Sequence, residues 1–342
     1  MIVKLLIYDT EKSIRTNEFA TEVQAGLAAT RRYLMPKYFY NDTGSKLFEE
    51  ICKQPEYYLT RTETSILMKY KRDILRICGD QDISIIELGS GSSLKTKILL
   101  NEFVSNNKKK VFYFPIDVSE TMLNDSIDKL STEFKNLRVI GVCSEYASGI
   151  KEVNVFMLNH SDVPEAKLLV FLGSSIGNLD PVQVQKFLTA LKEKVNYGDA
   201  ILIGFDLQKE TAVLENAYND KAGMTAQFNL NLLARINREL QAEFDLSFFM
   251  HEAFYNVKQQ RIEMYLVSTC DQSVYIRGLG KHFSFKKGDR IHTENSYKFS
   301  LEGINKLAIA SGLRVIKNYT DSQNFYCLSL LSRVPDTSET GK

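Results

Sequence analysis

Ile83-Ser-Ile-Ile-Glu-Leu-Gly-Ser-Gly-Ser-Ser93 is the stretch on which the fold turns. Six residues of mostly apolar, β-prone sequence stop abruptly at two glycines, and a helical pattern starts at Leu94 and runs to Phe103. A short apolar run that ends in a glycine turn and feeds a helix is the opening of a strand–helix unit. The same rhythm continues outward. Val111–Asp117 reads as the next strand, and Ser119 is a good N-cap for a helix through Leu130. Leu137–Cys143, Leu168–Leu172 and Ala200–Asp206 are three further apolar runs, with a helix near Pro181–Lys194 between the last two. Strands alternating with helices at this spacing require right-handed crossovers and give a mostly parallel sheet. The rhythm resumes at the end of the chain, where Leu301–Gly312 reads as a helix and Arg314–Tyr319 and Phe325–Leu331 as two strands.

Elsewhere the pattern changes. Phe228, Leu232, Ile236 and Leu240 recur every four residues, an amphipathic helix, and Phe248–Val257 with Arg261–Ser268 read as a hairpin about Lys258-Gln-Gln260. The first 60 residues are helical and aromatic-rich and match no part of the strand–helix series. The expected organisation is an α/β core from 61–207 and 299–334, with a second domain from 10–60 and 208–298 and a polar tail at 335–342. A cleft between the two domains is the default ligand site. The chain has 342 residues, 44% hydrophobic and 25% charged, enough apolar material for a sizeable core. Lys+Arg number 43 against 42 Asp+Glu, so no basic excess points to nucleic acid. Apolar runs such as Leu168–Leu172 fall far short of the roughly 20 residues of a membrane span. Met1–Ile7 is too short for the apolar region of a signal peptide. Five scattered cysteines form neither an even disulfide framework nor a metal pattern. These features predict a reduced, soluble cytoplasmic protein with no structural zinc; no metal site is expected, and the working expectation for assembly is a monomer.

The glycine loop suggests a ligand. Gly89, Ser90 and Gly91 lie where a strand hands over to a helix, so the backbone can turn tightly and face a ligand with helix N-terminal N–H groups. Neither a GxGxxG pattern nor the GK[ST] of a phosphate loop is present. Asp117 ends the second strand, where the ribose diol of a nucleotide is bound in doubly wound folds. Glu145, after the third strand, is placed to meet an adenine amino group. Three readings stay open at this point: S-adenosylmethionine, a dinucleotide, or a loop without a ligand. Lys95 is either surface charge or the partner of a cofactor carboxylate.

The flanking motifs narrow the choice. Lys37-Tyr-Phe-Tyr-Asn-Asp-Thr-Gly-Ser-Lys-Leu-Phe48 and Pro55-Glu-Tyr-Tyr-Leu-Thr-Arg61 resemble the entry of the histidine-specific N-alpha-methyltransferases. The likeness continues through Glu87–Gly91, Pro115-Ile-Asp-Val-Ser-Glu120 and Phe171-Leu-Gly-Ser-Ser-Ile-Gly-Asn178. It extends to Ala217-Tyr-Asn-Asp220, Ile262-Glu-Met264 and Ile291-His-Thr-Glu-Asn-Ser296, in family order over nearly the whole chain. The resemblance implies a Rossmann-like class I methyltransferase core with an antiparallel last strand, a second α+β substrate-binding domain, and S-adenosyl-L-methionine as cofactor. It also implies trimethylation of the L-histidine alpha-amino group, the step that opens ergothioneine biosynthesis. Gly89, Ser90, Gly91, Lys95, Asp117, Glu145 and Tyr146 are then the cofactor residues. Ser144-Glu145-Tyr146 departs from the family's usual Asp-Phe pair after a glycine, and Leu59 stands where proline is common.

For the substrate, the resemblance casts Asn178 and Tyr218 as donors to the histidine carboxylate. Neutral donors hold an anion without leaving an unpaired protein charge when the site is empty. Tyr40 is the phenol beside the amino nitrogen and, with Asn178, takes the catalytic part; Gly173 is a backbone position close to that nitrogen. Tyr57, Glu294 and Ser296 read the imidazole, and Met264 is an apolar wall. A carboxylate and a hydroxyl can satisfy both ring nitrogens. By its own sequence context Glu294 would be a solvated charge, and Met264, alternating with Ile262 and Leu266, core packing. His160, His251 and His282 carry no ligand spacing and are assigned to surface or core. The rivals are an enzyme of the same fold acting on another amino acid such as a tryptophan, a non-catalytic cofactor-binding relative, and an RNA methyltransferase. An indole offers one donor and no acceptor, which fits the Glu294–Ser296 pair poorly.

Overall fold

A computed structural model describes residues 4–8, 15–105 and 109–334. The polar tail at 335–342 and the start of the second domain at 10–14 lie outside them. The chain divides into two compact units, passing from one to the other at Tyr58/Leu59, Gln208/Lys209 and Tyr297/Lys298.

The first unit is built on one eight-stranded sheet. Its strands are β1 (Lys4–Tyr8), β2 (Ile83–Leu88), β3 (Val111–Asp117), β4 (Leu137–Cys143), β5 (Lys167–Phe171) and β6 (Ala200–Asp206). Five strands of the second unit follow in sequence, β7 (Phe249–Asn256), β8 (Arg261–Ser268), β9 (Gln272–Ile276), β10 (Lys281–Phe285) and β11 (Arg290–Tyr297). The chain then returns to the sheet as β12 (Leu313–Thr320) and β13 (Tyr326–Arg333). The sheet order is β1-β4-β3-β2-β5-β6-β13-β12. Strands β1 to β6 pair with one another in parallel, and β13 runs antiparallel to both β6 and β12. Every residue of β2 and β6 is buried, which is why both read as mostly apolar runs: a parallel sheet is covered on both faces. From β2 the chain adds β3 and β4 on one side, then β5 and β6 on the other. That reversal opens a crevice at the carboxyl ends of β2 and β5, the position where such sheets bind ligands.

The boundaries of β2, β3, β4 and β6 agree with the sequence reading, and Ser119 accepts a hydrogen bond from the Met122 N–H at 3.4 Å to cap helix Glu120–Glu133. One expectation fails. The first 60 residues are not wholly helical, because β1 pairs with β4 in parallel, Lys4 opposite Val139, and extends the sheet by a strand. Five residues carry too little periodicity to announce a strand; the β4 edge supplies the pairing.

The second unit combines a three-stranded antiparallel sheet, β11-β8-β7, with the β9–β10 hairpin. Helices Arg15–Ala28, Asp42–Lys53, Thr211–Tyr218 and Met224–Leu240 belong to it. Helix Met224–Leu240 buries Phe228, Leu232, Ile236 and Leu240, the four-residue repeat read from sequence. Asn41 caps helix Asp42–Lys53 by accepting from the Gly44 N–H at 2.8 Å, and the same oxygen accepts from Asn231 Nδ2 at 3.0 Å. This cap fixes the chain directly after Tyr40.

Candidate active site

In the first unit, the ends of β2, β3 and β4 carry the residues expected at a cofactor. Gly89 (φ +68°) and Gly91 (φ +49°) adopt the left-handed backbone that a β-carbon disfavours, and at Gly89 a β-carbon would come to 3.0 Å from the Tyr146 hydroxyl. The loop is anchored underneath by Glu87, whose buried carboxylate accepts hydrogen bonds from Thr96 and Tyr113. Burial pushes this carboxyl up to about 7, against the pull of those two hydroxyls. Asp117 accepts the Gly91 N–H on Oδ2 at 2.8 Å and the Ser119 N–H on Oδ1 at 3.0 Å. Burial raises its pKa, opposed by the amides of Ser119, Gly91 and Val118. Each carboxylate oxygen still has a lone pair to offer. Ser90 Oγ is buried without a hydrogen-bond partner among the described residues, and a β-carbon on Gly91 would meet open space. An orphaned hydroxyl and an open glycine beside a two-oxygen acceptor suit a nucleoside carrying a diol. Glu145 is exposed at the N-cap of helix Tyr146–Asn159 and makes no capping bond, while the Tyr146 ring packs edge-on against Phe171 at 5.2 Å.

Strand β5 delivers the next loop. Gly173 (φ +77°) and Ser174 (φ +57°) turn the chain into a short 3-10 turn, Ser175–Asn178, after which Asp180 caps helix Pro181–Lys192 through a reciprocal capping box. The Asn178 amide is half-buried and makes no hydrogen bond among the described residues. The Gly173 N–H donates to both oxygens of Glu63, at 2.9 and 3.0 Å, so only its carbonyl is left for a ligand. Lys95 Nζ also lies on Glu63, at 2.6 Å. Sequence reasoning missed Glu63, because Arg61-Thr-Glu-Thr64 looks like any polar stretch of helix.

In the second unit, Met264, Glu294 and Ser296 share one face of the antiparallel sheet. On β8, Ile262, Met264 and Leu266 alternate on a single side and are all buried. Their partners on β11 are Ser296, Glu294 and Ile291, because the register shifts between His292 and Glu294. Strict alternation from Ile291 would have placed Thr293, Asn295 and Tyr297 on that side. The extra residue at Thr293 is a β-bulge, and it re-aims Glu294 and Ser296 onto the Met264 face. Glu294 is 8% exposed and Ser296 3%. The Tyr218 hydroxyl lies 2.8 Å from Ser296 Oγ, and the Tyr57 ring sits edge-on to Tyr218 at 6.3 Å. Phe48 packs edge-on against both Tyr57 and Tyr40, at 6.2 and 5.8 Å. Burial lifts the Tyr57 phenol well above its usual range, with Tyr218, Cys52, Tyr40 and Glu294 adding to the shift, so this hydroxyl keeps its proton and can donate.

His251 was assigned no role from sequence, yet it holds Tyr218 from behind. Its Nε2 lies 2.9 Å from the Tyr218 carbonyl and its Nδ1 2.9 Å from Asn229 Nδ2. Asn229 Nδ2 also donates to the Tyr265 carbonyl at 3.0 Å, which fixes the amide orientation and makes His251 Nδ1 the acceptor. The ring is therefore neutral, and burial lowers its pKa. A histidine pKa lower in the folded than in the unfolded chain gives stability that is fully present above the unfolded value of about 6.5 and lost as pH falls through the folded value. His292, half-buried and bonded to Asn295, shifts the same way. The unfolding free energy from urea titrations between pH 7.5 and 5 is expected to fall below pH 6.5, by up to about 1.4 kcal/mol per pH unit for each proton taken up. His251→Gln is expected to flatten the slope; an unchanged slope would show that His251 titrates alike in both states.

A mostly parallel sheet with an antiparallel last strand, a glycine loop after the central strand and an acid ending the next define a Rossmann-like methyltransferase core. The chain belongs to the family described as histidine-specific methyltransferase, SAM-dependent, which it matches over residues 19–333. It is similar to histidine N-alpha-methyltransferase of Mycobacterium tuberculosis, 37% identical over 314 residues that cover 91% of this chain and 94% of that one. Ergothioneine biosynthesis protein 1 of Neurospora crassa is 30% identical over 88% of this chain and 33% of its own length. Among solved structures, an S-adenosylmethionine-dependent methyltransferase from Clostridium acetobutylicum aligns with 79% of this chain and 92% of its own, at 12% identity and a TM-score of 0.43. The protein is an S-adenosylmethionine-dependent methyltransferase.

Proposed function

We propose that this enzyme transfers three methyl groups to the alpha-amino nitrogen of L-histidine, giving hercynine in the first step of ergothioneine biosynthesis. The observation that carries this reading is the buried acceptor–hydroxyl pair, Glu294 and Ser296, brought by the Thr293 bulge onto the same face as Met264. An imidazole presents two ring nitrogens to such a pair, which an apolar ring could not engage. Asn178 and Tyr218 take the carboxylate, and Tyr40 stands by the amino nitrogen. The Gly173 carbonyl is the group of that residue free to meet the amine, since its N–H is held by Glu63.

Ser90, Gly91, Asp117 and Lys95 hold the cofactor, with Gly89, Tyr146 and Glu145 around it. When bound, S-adenosylmethionine supplies an already activated methyl group. The chain's own residues orient the amine lone pair and exclude water, and solvent takes each released proton. Successive methylation ends in a quaternary cation, which an aromatic face such as Tyr40 can hold. The enzyme is taken to act as a cytoplasmic monomer on a small molecule, and its near-neutral charge offers no basic excess for nucleic acid. The test is mass spectrometry of an equimolar amino-acid mixture incubated with enzyme and S-adenosylmethionine. Histidine alone is expected to gain methyl groups; preferential methylation of tryptophan or another amino acid would overturn the assignment.

A further inference from the structure

Glu63 is fully buried on helix Tyr58–Ile77, yet it is a carboxylate. Three separate parts of the first unit converge on it. The backbone N–H of Gly173 donates to both of its oxygens, at 2.9 and 3.0 Å. The Tyr326 hydroxyl from β13 donates to Oε1 at 2.7 Å. Lys95 Nζ, at the start of the helix that follows the glycine loop, is 2.6 Å from Oε2, with its side chain 27% exposed against 1% for Glu63. Room for this cluster exists because residue 204 is glycine. A β-carbon there would stand 2.3 Å from the Tyr326 hydroxyl and 2.4 Å from Glu63 Oε1.

We propose that Glu63 is a positioning residue that ties the cofactor-facing Lys95 to the loop carrying Gly173 and Asn178. This rests on the functional reading above, which gives Lys95 to the cofactor carboxylate and Asn178 to the substrate. The chemistry follows from the donor count. An ammonium has three N–H donors; Glu63 holds one and so fixes where the charged group sits. The same carboxylate holds the amide at the head of the loop, where Gly173 and Ser174 both have positive φ. Ser174 Oγ in turn accepts from the Asp206 N–H at 2.9 Å, and Asp206 pairs with fully buried Lys298 at 2.8 Å. The loop is thus pinned at two adjacent residues, one of them through a group shared with Lys95. A ligand anion that draws on Lys95 and a substrate that draws on the loop act on one carboxylate. Each therefore changes the affinity of the other by the same factor.

The experiment is calorimetry of S-adenosylhomocysteine with and without histidine, on the wild type, Glu63→Gln and Gly204→Ala. Glutamine keeps the volume and an acceptor for the Gly173 N–H, but it turns an amide donor toward Lys95. In the wild type, histidine is expected to tighten S-adenosylhomocysteine binding several-fold. In Glu63→Gln, at a closely similar Tm, that ratio is expected to fall to near one and kcat to drop at least tenfold. Gly204→Ala reaches the same cluster without changing any charge or any ligand-facing residue. It is expected to weaken the coupling in the same direction, and it serves as the test if Glu63→Gln does not fold. A wild-type ratio of one, or a folded variant that retains the wild-type ratio and kcat, would overturn the role of Glu63. A wild type that neither binds S-adenosylhomocysteine nor methylates histidine would instead overturn the functional reading.

Discussion

Replacing Glu294 with alanine is expected to lower kcat/KM for histidine by up to about 10⁴-fold while leaving aromatic amino acids without a polar ring little affected or improved. Glu294 is 8% exposed, on a strand whose bulge aims it at the side where Met264 and Ile262 are buried. A buried carboxylate in that position prefers a ring that offers an N–H over one that offers none. Alanine removes that preference. Shrinking Met264 to valine in the same variant adds room beside it and is expected to move the preference further toward phenylalanine and tryptophan. The measurement is the methylation rate against an amino-acid panel for the wild type, the single variant and the double variant. A uniform slowing of every amino acid would make Glu294 a structural residue, and the histidine selectivity would lose its physical basis.

Asp117→Ala is expected to weaken S-adenosylmethionine binding about 10- to 100-fold, the equivalent of roughly 1.5–3 kcal/mol for hydrogen bonds to a charged acceptor. The variant loses the acceptor proposed for the ribose hydroxyls. It also strands the Gly91 and Ser119 N–H groups, which now donate to the two carboxylate oxygens at 2.8 and 3.0 Å. Asp117→Asn retains one oxygen and is expected to fall between the wild type and alanine. Calorimetry decides, and an affinity unchanged in the alanine variant would remove Asp117 from the cofactor site.

The core strands were legible because of the way they are buried. Strands β2 and β6 are covered on both faces, so every residue is selected for apolarity or size, and the run ends where the backbone must turn. Glycine and aspartate at those ends are visible in the sequence, and Gly89, Gly91 and Asp117 lie where they were expected. Strand β1 was not legible, because its pairing is decided by the edge of β4 some 130 residues away rather than by its own five residues. The side on which Glu294 lies was equally hidden. Parity counted from Ile291 puts it on the wrong face, and only the register with Met264 reveals the extra residue at Thr293. Those second-unit residues were reached through family resemblance, not through periodicity. Glu63 and His251 lay beyond both approaches. A glutamate in a polar helix start and a histidine in an alternating strand look solvated until a distant Gly173 or Asn229 turns out to be bonded to them.

The account rests most heavily on the identity of the methyl acceptor and the number of transfers. Purified enzyme, histidine and S-adenosylmethionine carrying a labelled methyl group, followed over time by mass spectrometry, test both together. The expected result is transient mono- and dimethylhistidine and a trimethylated end product with all three labels on the alpha nitrogen. Label on an imidazole nitrogen, or a reaction that halts at one methyl group, would contradict it.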